Sequence, residues 1–141
     1  MTSGGDMRKW VSAAIAAGLF FGGAGGAVAA SWHRLDLTTK GAAFAGEYAW
    51  EPKNKNHGGF HFRGYLQDSV AGDGHNVYIL ARVEAYPFSR YNGVQRRKDV
   101  HLDEVLYDGA ALYSTTADIR VCRDRGSLRP DNCSPTRFFR R

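Results

Sequence analysis

An all-β domain, a small antiparallel β-sandwich preceded by a helical signal segment, is the fold class this sequence predicts; a small β-barrel is the alternative. Three observations carry that expectation. Apolar residues beyond residue 30 recur with a period of two rather than 3.6. Turn signals built from Gly, Pro, Asn and Asp interrupt the chain at short intervals. No stretch after the first thirty residues has the apolar stripe of an amphipathic helix.

Residues 1–29 have the features of a secretory signal peptide. Arg8 and Lys9 form a basic head, and an apolar run follows from Trp10 to Phe21. Gly22, Gly23, Gly25 and Gly26 then break the helix, and Ala27-Val28-Ala29 offers the small-x-small pattern that signal peptidases accept. Cleavage near Ala30 leaves one β-rich domain, residues 30–141, of about 112 residues, enough for one core and too few for two. The alternative is an uncleaved membrane anchor, because Trp10 to Ala30 approaches the length of a bilayer span. The glycines disfavour it, each costing about 1 kcal/mol relative to Ala inside a helix. No twin-arginine pair precedes the apolar run and no Cys lies near the cleavage site. The expectation is an extracellular protein exported by the general secretory route, with no stable membrane insertion after cleavage and at most loose association with the wall.

In the mature part, Trp32–Leu37 is a possible first strand, with Leu35 and Leu37 on one face. Ala42–Trp50 is apolar and aromatic but alternates poorly, and 51–59 is a polar loop punctuated by Pro and Gly. Phe60, Phe62, Gly64 and Leu66 alternate with His61, Arg63, Tyr65 and Gln67, as in a strand with one buried and one wet face. From Asn76 to Ala85 the odd positions Val77, Ile79, Ala81, Val83 and Ala85 are apolar. Asp73-Gly74 lies between these two runs and marks a tight turn, which predicts a hairpin pairing them. Residues 86–93 form an aromatic loop and 94–99 a basic one. Val100–Tyr107 and Asp118–Arg123 resume strand patterns, and Thr136–Arg140 forms a possible last strand. Ile119 and Val121 share a face, so Cys122 points the other way, to the outer side or the edge of its sheet.

Cys122 and Cys133 are the two cysteines of the chain. An even count in an exported protein reads as a disulfide, whereas a zinc site needs four ligands and this pair supplies half of them. The sequence calls for no cofactor and no metal. Asp68 and Asp73 flank a Gly-containing turn that could hold calcium, but the spaced carboxylates of a dedicated calcium loop are missing.

Two segments are candidates for contact with a ligand or partner. In the aromatic loop, Tyr86, Phe88, Arg90 and Tyr91 are candidate contacts, Tyr offering a flat apolar face with a polar tip suited to a sugar ring or a partner surface; capping one end of the core is the plainer role for Tyr86 and Phe88. The chain carries 19 Lys+Arg against 14 Asp+Glu, a net of +5, and the surplus lies in 120–141, where seven Arg face two Asp. Arg120, Arg123, Arg125 and Arg129 are therefore candidate anion contacts, with solubility and edge protection as the plainer explanation. A cell-wall or extracellular polysaccharide fits these residues better than nucleic acid, since no aromatic ladder accompanies the charge.

No catalytic residue is assigned. The sequence has no nucleophile elbow, no paired zinc histidines on a helix and no phosphate-binding glycine loop. His57 and His61 straddle a loop and a strand, so helical spacing does not bring them together. His101 with Asp103 and Glu104 could supply acid and base for a small secreted hydrolase acting on an anionic polymer such as nucleic acid; a solvated strand face is the simpler account. The expectation is a non-enzymatic extracellular binding or structural domain, with that hydrolase as the alternative.

The export signal, the run from Gln67-Asp68 through Asp73-Gly74-His75-Asn76-Val77-Tyr78, and the ending from Val121-Cys122-Arg123 to Asp131-Asn132-Cys133 together resemble small uncharacterised secreted proteins common in Gram-positive actinobacteria. The resemblance covers most of the mature chain, but its motifs are turns and a cysteine pair. It supports the compartment and the fold class and implies no activity and no catalytic residues.

Overall fold

The structure, a computed structural model, describes residues 29–141; the segment expected to be a signal peptide, apart from Ala29, lies outside the described residues. Among the described residues nine strands are formed: β1 His33–Thr39, β2 Ala42–Trp50, β3 Phe60–Asp68, β4 Val77–Val83, β5 Ser89–Asn92, β6 Asp99–Leu106, β7 Thr116–Arg123, β8 Asn132–Cys133 and β9 Arg137–Arg140. They build two antiparallel sheets, β1-β2-β3-β6 and β5-β4-β7-β8, with β9 also paired to β7. The sheets face one another as a sandwich and do not close into a barrel.

Period-two patterning places the core. Leu35 and Leu37 of β1, Phe44 of β2, Phe60, Phe62 and Leu66 of β3, and Leu102 and Leu106 of β6 point inward from the first sheet. Val77, Ile79, Ala81 and Val83 of β4 meet them from the second sheet, with Ala117, Ile119 and Val121 of β7 and Phe139 of β9. Phe60 is the centre of the aromatic part, with ring centroids 5.5 Å from Tyr48, 5.3 Å from Trp50 and 5.4 Å from Phe139.

Two glycines shape the first sheet. Gly46 and Gly64 lie opposite each other in the β2–β3 register, and Gly64 has φ of 154°. A Cβ on Gly64 would stand 2.4 Å from the Ala45 carbonyl oxygen and 2.6 Å from Gly46 Cα, so the two backbones approach more closely than any side chain permits.

The predicted hairpin between β3 and β4 is not formed. β3 pairs with β2 on one side and β6 on the other, while β4 pairs with β5 and β7 in the opposite sheet. Residues 69–76 carry the chain across the sandwich, so the two alternating runs face each other instead of lying side by side. The β4 strand also stops at Val83, and Ala85 belongs to the following turn rather than to the buried row. The segment expected to be an aromatic loop contains a short strand, β5.

Cys122 and Cys133 form the disulfide, directly opposite one another in the β7–β8 register. Cys122 faces away from the core row of Ile119 and Val121, as its parity requires, yet it is fully buried. Between β8 and β9, Ser134 keeps the edge of β7 satisfied. Its amide donates to the Val121 carbonyl at 2.8 Å, and its hydroxyl accepts from the Val121 amide at 3.1 Å, in place of a strand bond interrupted before Pro135.

Candidate functional site

The β4–β5 connection holds two successive non-glycine residues in the left-handed region. The Tyr86 amide donates to the Val83 carbonyl at 3.0 Å, and the two central residues, Glu84 and Ala85, have φ of 51° and 58°. That is a type I′ turn, which suits the twist of a hairpin but favours Asn-Gly over Glu-Ala. The Glu84 carboxylate holds it in place by accepting from the Thr116 amide at 2.9 Å, the Thr115 hydroxyl at 3.0 Å and the Thr115 amide. Burial pushes the Glu84 carboxyl up, but these bonds outweigh it and hold the group below the ordinary carboxylate value.

The turn divides the aromatic segment between two surfaces. Tyr86 and Tyr91 line a cleft of 260 Å³ between edge strands β5 and β6, together with Pro87, Ser89 and Tyr107. Tyr86 and Tyr107 are about half exposed at its mouth, whereas Tyr91 packs edge-on against Phe62 at 5.4 Å and closes the core from within. Burial, reinforced by the Glu104 charge, raises the Tyr91 hydroxyl pKa; the Asp108 charge and hydrogen bond raise that of Tyr86. Phe88 and Arg90 turn instead to the outer face of the β5-β4-β7 sheet. There the Phe88 ring has the Arg82 guanidinium 4.4 Å from its centroid and that of Arg120 at 5.2 Å. Arg90 covers the ring of Tyr78 at 3.6 Å. Tyr78 itself is buried, and burial followed by its hydrogen bond to Asp131 pushes its hydroxyl up to about 12.

The four arginines singled out by the C-terminal charge surplus do not form one patch. Arg120 joins Phe88. Arg123 sits at the end of the sandwich, where it packs over the Gly41 turn and pairs with Asp73. Arg125 reaches Asn132 at 3.3 Å inside the 124–131 turn, and Arg129 is exposed on that turn. The two aspartates considered for calcium have partners within the protein, although Asp68 Oδ2 is buried without one. Asp73 accepts from Arg123 and from the His75 amide at 2.8 Å, while buried Asp68 accepts from the Val70 amide at 3.0 Å. Among the described residues no group of three or more His, Cys, Asp or Glu side chains is assembled to hold a metal ion.

His101 and Glu104 do not converge. His101 lies opposite Tyr65 on the exposed face of the first sheet, and Glu104 lies opposite Phe62, whose side chain is in the core. They project from opposite faces of β6, so no substrate atom reaches both.

A different histidine is surrounded by carboxylates. His61 Nδ1 lies 2.7 Å from Glu51 Oε1, and Nε2 lies 2.5 Å from Asp103 Oδ1. Lys55 Nζ is 3.2 Å from the second Glu51 oxygen, and Trp32 packs edge-on to the imidazole at 4.7 Å. Trp32, Glu51, Lys55 and His61, with Arg63, border a hollow of 400 Å³ beside Ala29 and Ala30. Both ring nitrogens are occupied, so His61 has none to offer a substrate; the cluster ties the 51–59 loop to β6. Sequence reasoning missed it because its members are 10 and 42 residues apart and meet only through strand register.

Removing the ring leaves buried Glu51 with Lys55 alone, and His61→Ala is expected to cost about 2 kcal/mol at pH 7. For Glu51, burial raises the carboxyl pKa, but the His61 and Lys55 hydrogen bonds outweigh it; for Asp103 the His61 hydrogen bond leads. Both therefore sit below their ordinary values. A depressed carboxylate stabilises the fold fully above its unfolded pKa of about 4, and that stabilisation is lost as pH falls through the folded value. The difference between wild type and His61→Ala should consequently narrow between pH 7 and pH 3 in urea titrations. A gap of equal size at both pH values would contradict this account.

Comparison with family models, curated proteins and solved structures finds no match for this chain.

Proposed function

We propose that this is an exported, non-catalytic binding domain that holds an extracellular polysaccharide in the tyrosine cleft between β5 and β6. The observation that carries the reading is the convergence of Tyr86, Tyr91 and Tyr107 on one cleft beside a turn held in an uncommon conformation by Glu84. Two of these rings stand open to solvent with polar tips, the arrangement that stacks on a sugar ring while hydrogen-bonding its hydroxyls. Strained backbone is kept where surrounding contacts over-determine it, and such places are often binding sites. The separation of His101 from Glu104 supports a binding role over the hydrolase alternative.

Retention of residues 30–141 on insoluble chitin and on peptidoglycan tests the proposal. Tyr86→Ala with Tyr107→Ala should reduce retention at least tenfold at unchanged melting temperature. Tyr91 is left intact because it also packs on the core. Equal retention of variant and wild type on both materials, or retention of neither protein, would overturn the reading.

A further inference from the structure

We infer that the outer face of the β5-β4-β7 sheet is a second binding surface, built to hold an anionic linear polysaccharide. The inference rests on the binding-domain reading for its setting; Arg82 borders both surfaces, but Arg90 and Arg120 do not line the tyrosine cleft.

Strand register assembles the face from three separate segments. Leu80 lies between Arg90 of β5 and Arg120 of β7, so one row across three strands reads Arg-Leu-Arg. Side chains directly opposite on a shared face are close neighbours, which places the two guanidiniums over adjoining parts of one surface, on strands about 10 Å apart. Two positions along β4, Arg82 points to the same side. Phe88 fills the space between Arg82 and Arg120 and offers its ring to both.

The charges on this face are incompletely neutralised. Arg82 is paired with Asp118 at 2.6 Å and Arg90 with Asp124 at 3.0 Å. Arg120 makes no ion pair among the described residues, and its Nε is buried without a hydrogen-bond partner. Arg120 stands on β7, between β4 on one side and the β8/β9 edge on the other, so edge protection does not explain it. A half-buried guanidinium beside an aromatic ring, with no carboxylate paired to it, is matched by an oxyanion that accepts from its terminal nitrogens.

Charge complementarity selects an anion, and the shape of the face selects the polymer. A flat sheet has no helix or ribbon to enter a nucleic-acid groove. Single strands require successive open rings for base stacking, and here Tyr78 is buried while Phe88 is already flanked by guanidiniums. A linear glycan carrying carboxylates needs only spaced guanidiniums with a short apolar contact between them, which Leu80 supplies.

The test is affinity chromatography of residues 30–141 on immobilised alginate, a linear polyuronate, beside neutral dextran and single-stranded DNA. Wild type is expected to be retained on alginate, to elute with added salt, and to pass through dextran. Arg90→Gln with Arg120→Gln should lower alginate affinity at least tenfold, while Arg125→Gln with Arg129→Gln removes the same charge elsewhere and should change it less than twofold. Arg120→Lys keeps the charge but loses the planar, forked donor set of the guanidinium, and should show an intermediate loss at an unchanged melting temperature. The inference is overturned if wild type is not retained on alginate, if both double variants lose affinity equally, or if DNA is retained more strongly than alginate. Chitin retention that survives Arg90→Gln with Arg120→Gln would leave the cleft proposal standing on its own, so the two fail separately.

Discussion

Phe60→Ala is expected to destabilise the domain by about 4 kcal/mol, shifting the urea midpoint by roughly 2 M. Phe60 is fully buried, and its ring touches aromatic neighbours from β2, β3 and β9, so it joins both sheets. Truncation removes apolar area and leaves a cavity that Tyr48, Trp50 and Phe139 cannot all collapse into, because each is anchored on a different part of its strand. Small domains have 5–15 kcal/mol of stability as a rule, so this one change removes a large part of it. Phe138 is the control. It adjoins Phe139 in sequence but points outward and is half exposed, and its alanine variant should stay within about 0.5 kcal/mol of wild type. A midpoint shift below about 0.5 M for Phe60→Ala would mean that the aromatic cluster is not the centre of the core.

Phe60 also shows why part of this fold was legible in the sequence. Its parity with Phe62 and Leu66 identifies the buried face of β3 without knowledge of any partner, and the same holds for Val77, Ile79, Ala81 and Val83 of β4. Parity does not say which strands pair. Two runs that each have one apolar face satisfy the same pattern side by side in one sheet or facing across a sandwich. The expected β3–β4 hairpin chose the first arrangement and the fold uses the second. The eight residues between the runs are more than a tight hairpin needs and are enough to cross between layers.

The candidate surfaces were legible in the same partial way. Tyr86, Phe88, Arg90 and Tyr91 stand out as residue types, but their division between a cleft and a sheet face follows from a Glu84-Ala85 turn with no Asn-Gly signal. Arg120 is visible in a run of arginines, yet its companions on the sheet face are Arg82 and Arg90, brought there by register. Net charge by segment therefore mislocates the patch. Arg123 and Arg125, which lie in the same run, are engaged in holding turns.

Removal of the disulfide is the second large effect. Cys122→Ala with Cys133→Ala, or reduction of the native protein, is expected to cost about 3 kcal/mol and to lower the melting temperature by roughly 15 °C. The bonded cysteines are 11 residues apart, and closing that loop restricts the unfolded chain. The folded state has few other means of holding the segment. β8 is two residues long, and its other side-chain and loop bonds are few: Tyr78 to Asp131, the Arg125 amide to Asp131 at 2.9 Å, the Arg125 guanidinium to Asn132 at 3.3 Å, and the pair between Ser134 and Val121 at 2.8 and 3.1 Å. Amide exchange around Asn132 and Ser134 should therefore accelerate before that of β3 or β4 when the bond is cut. A melting temperature lowered by less than about 3 °C would show that the loop is held by its hydrogen bonds alone. The size of this effect bears on compartment as well as on fold, because such a bond persists only where thiols are not kept reduced. If the bond contributes what its loop length predicts, the domain is markedly weaker wherever thiols are kept reduced, which is compatible with the proposed export.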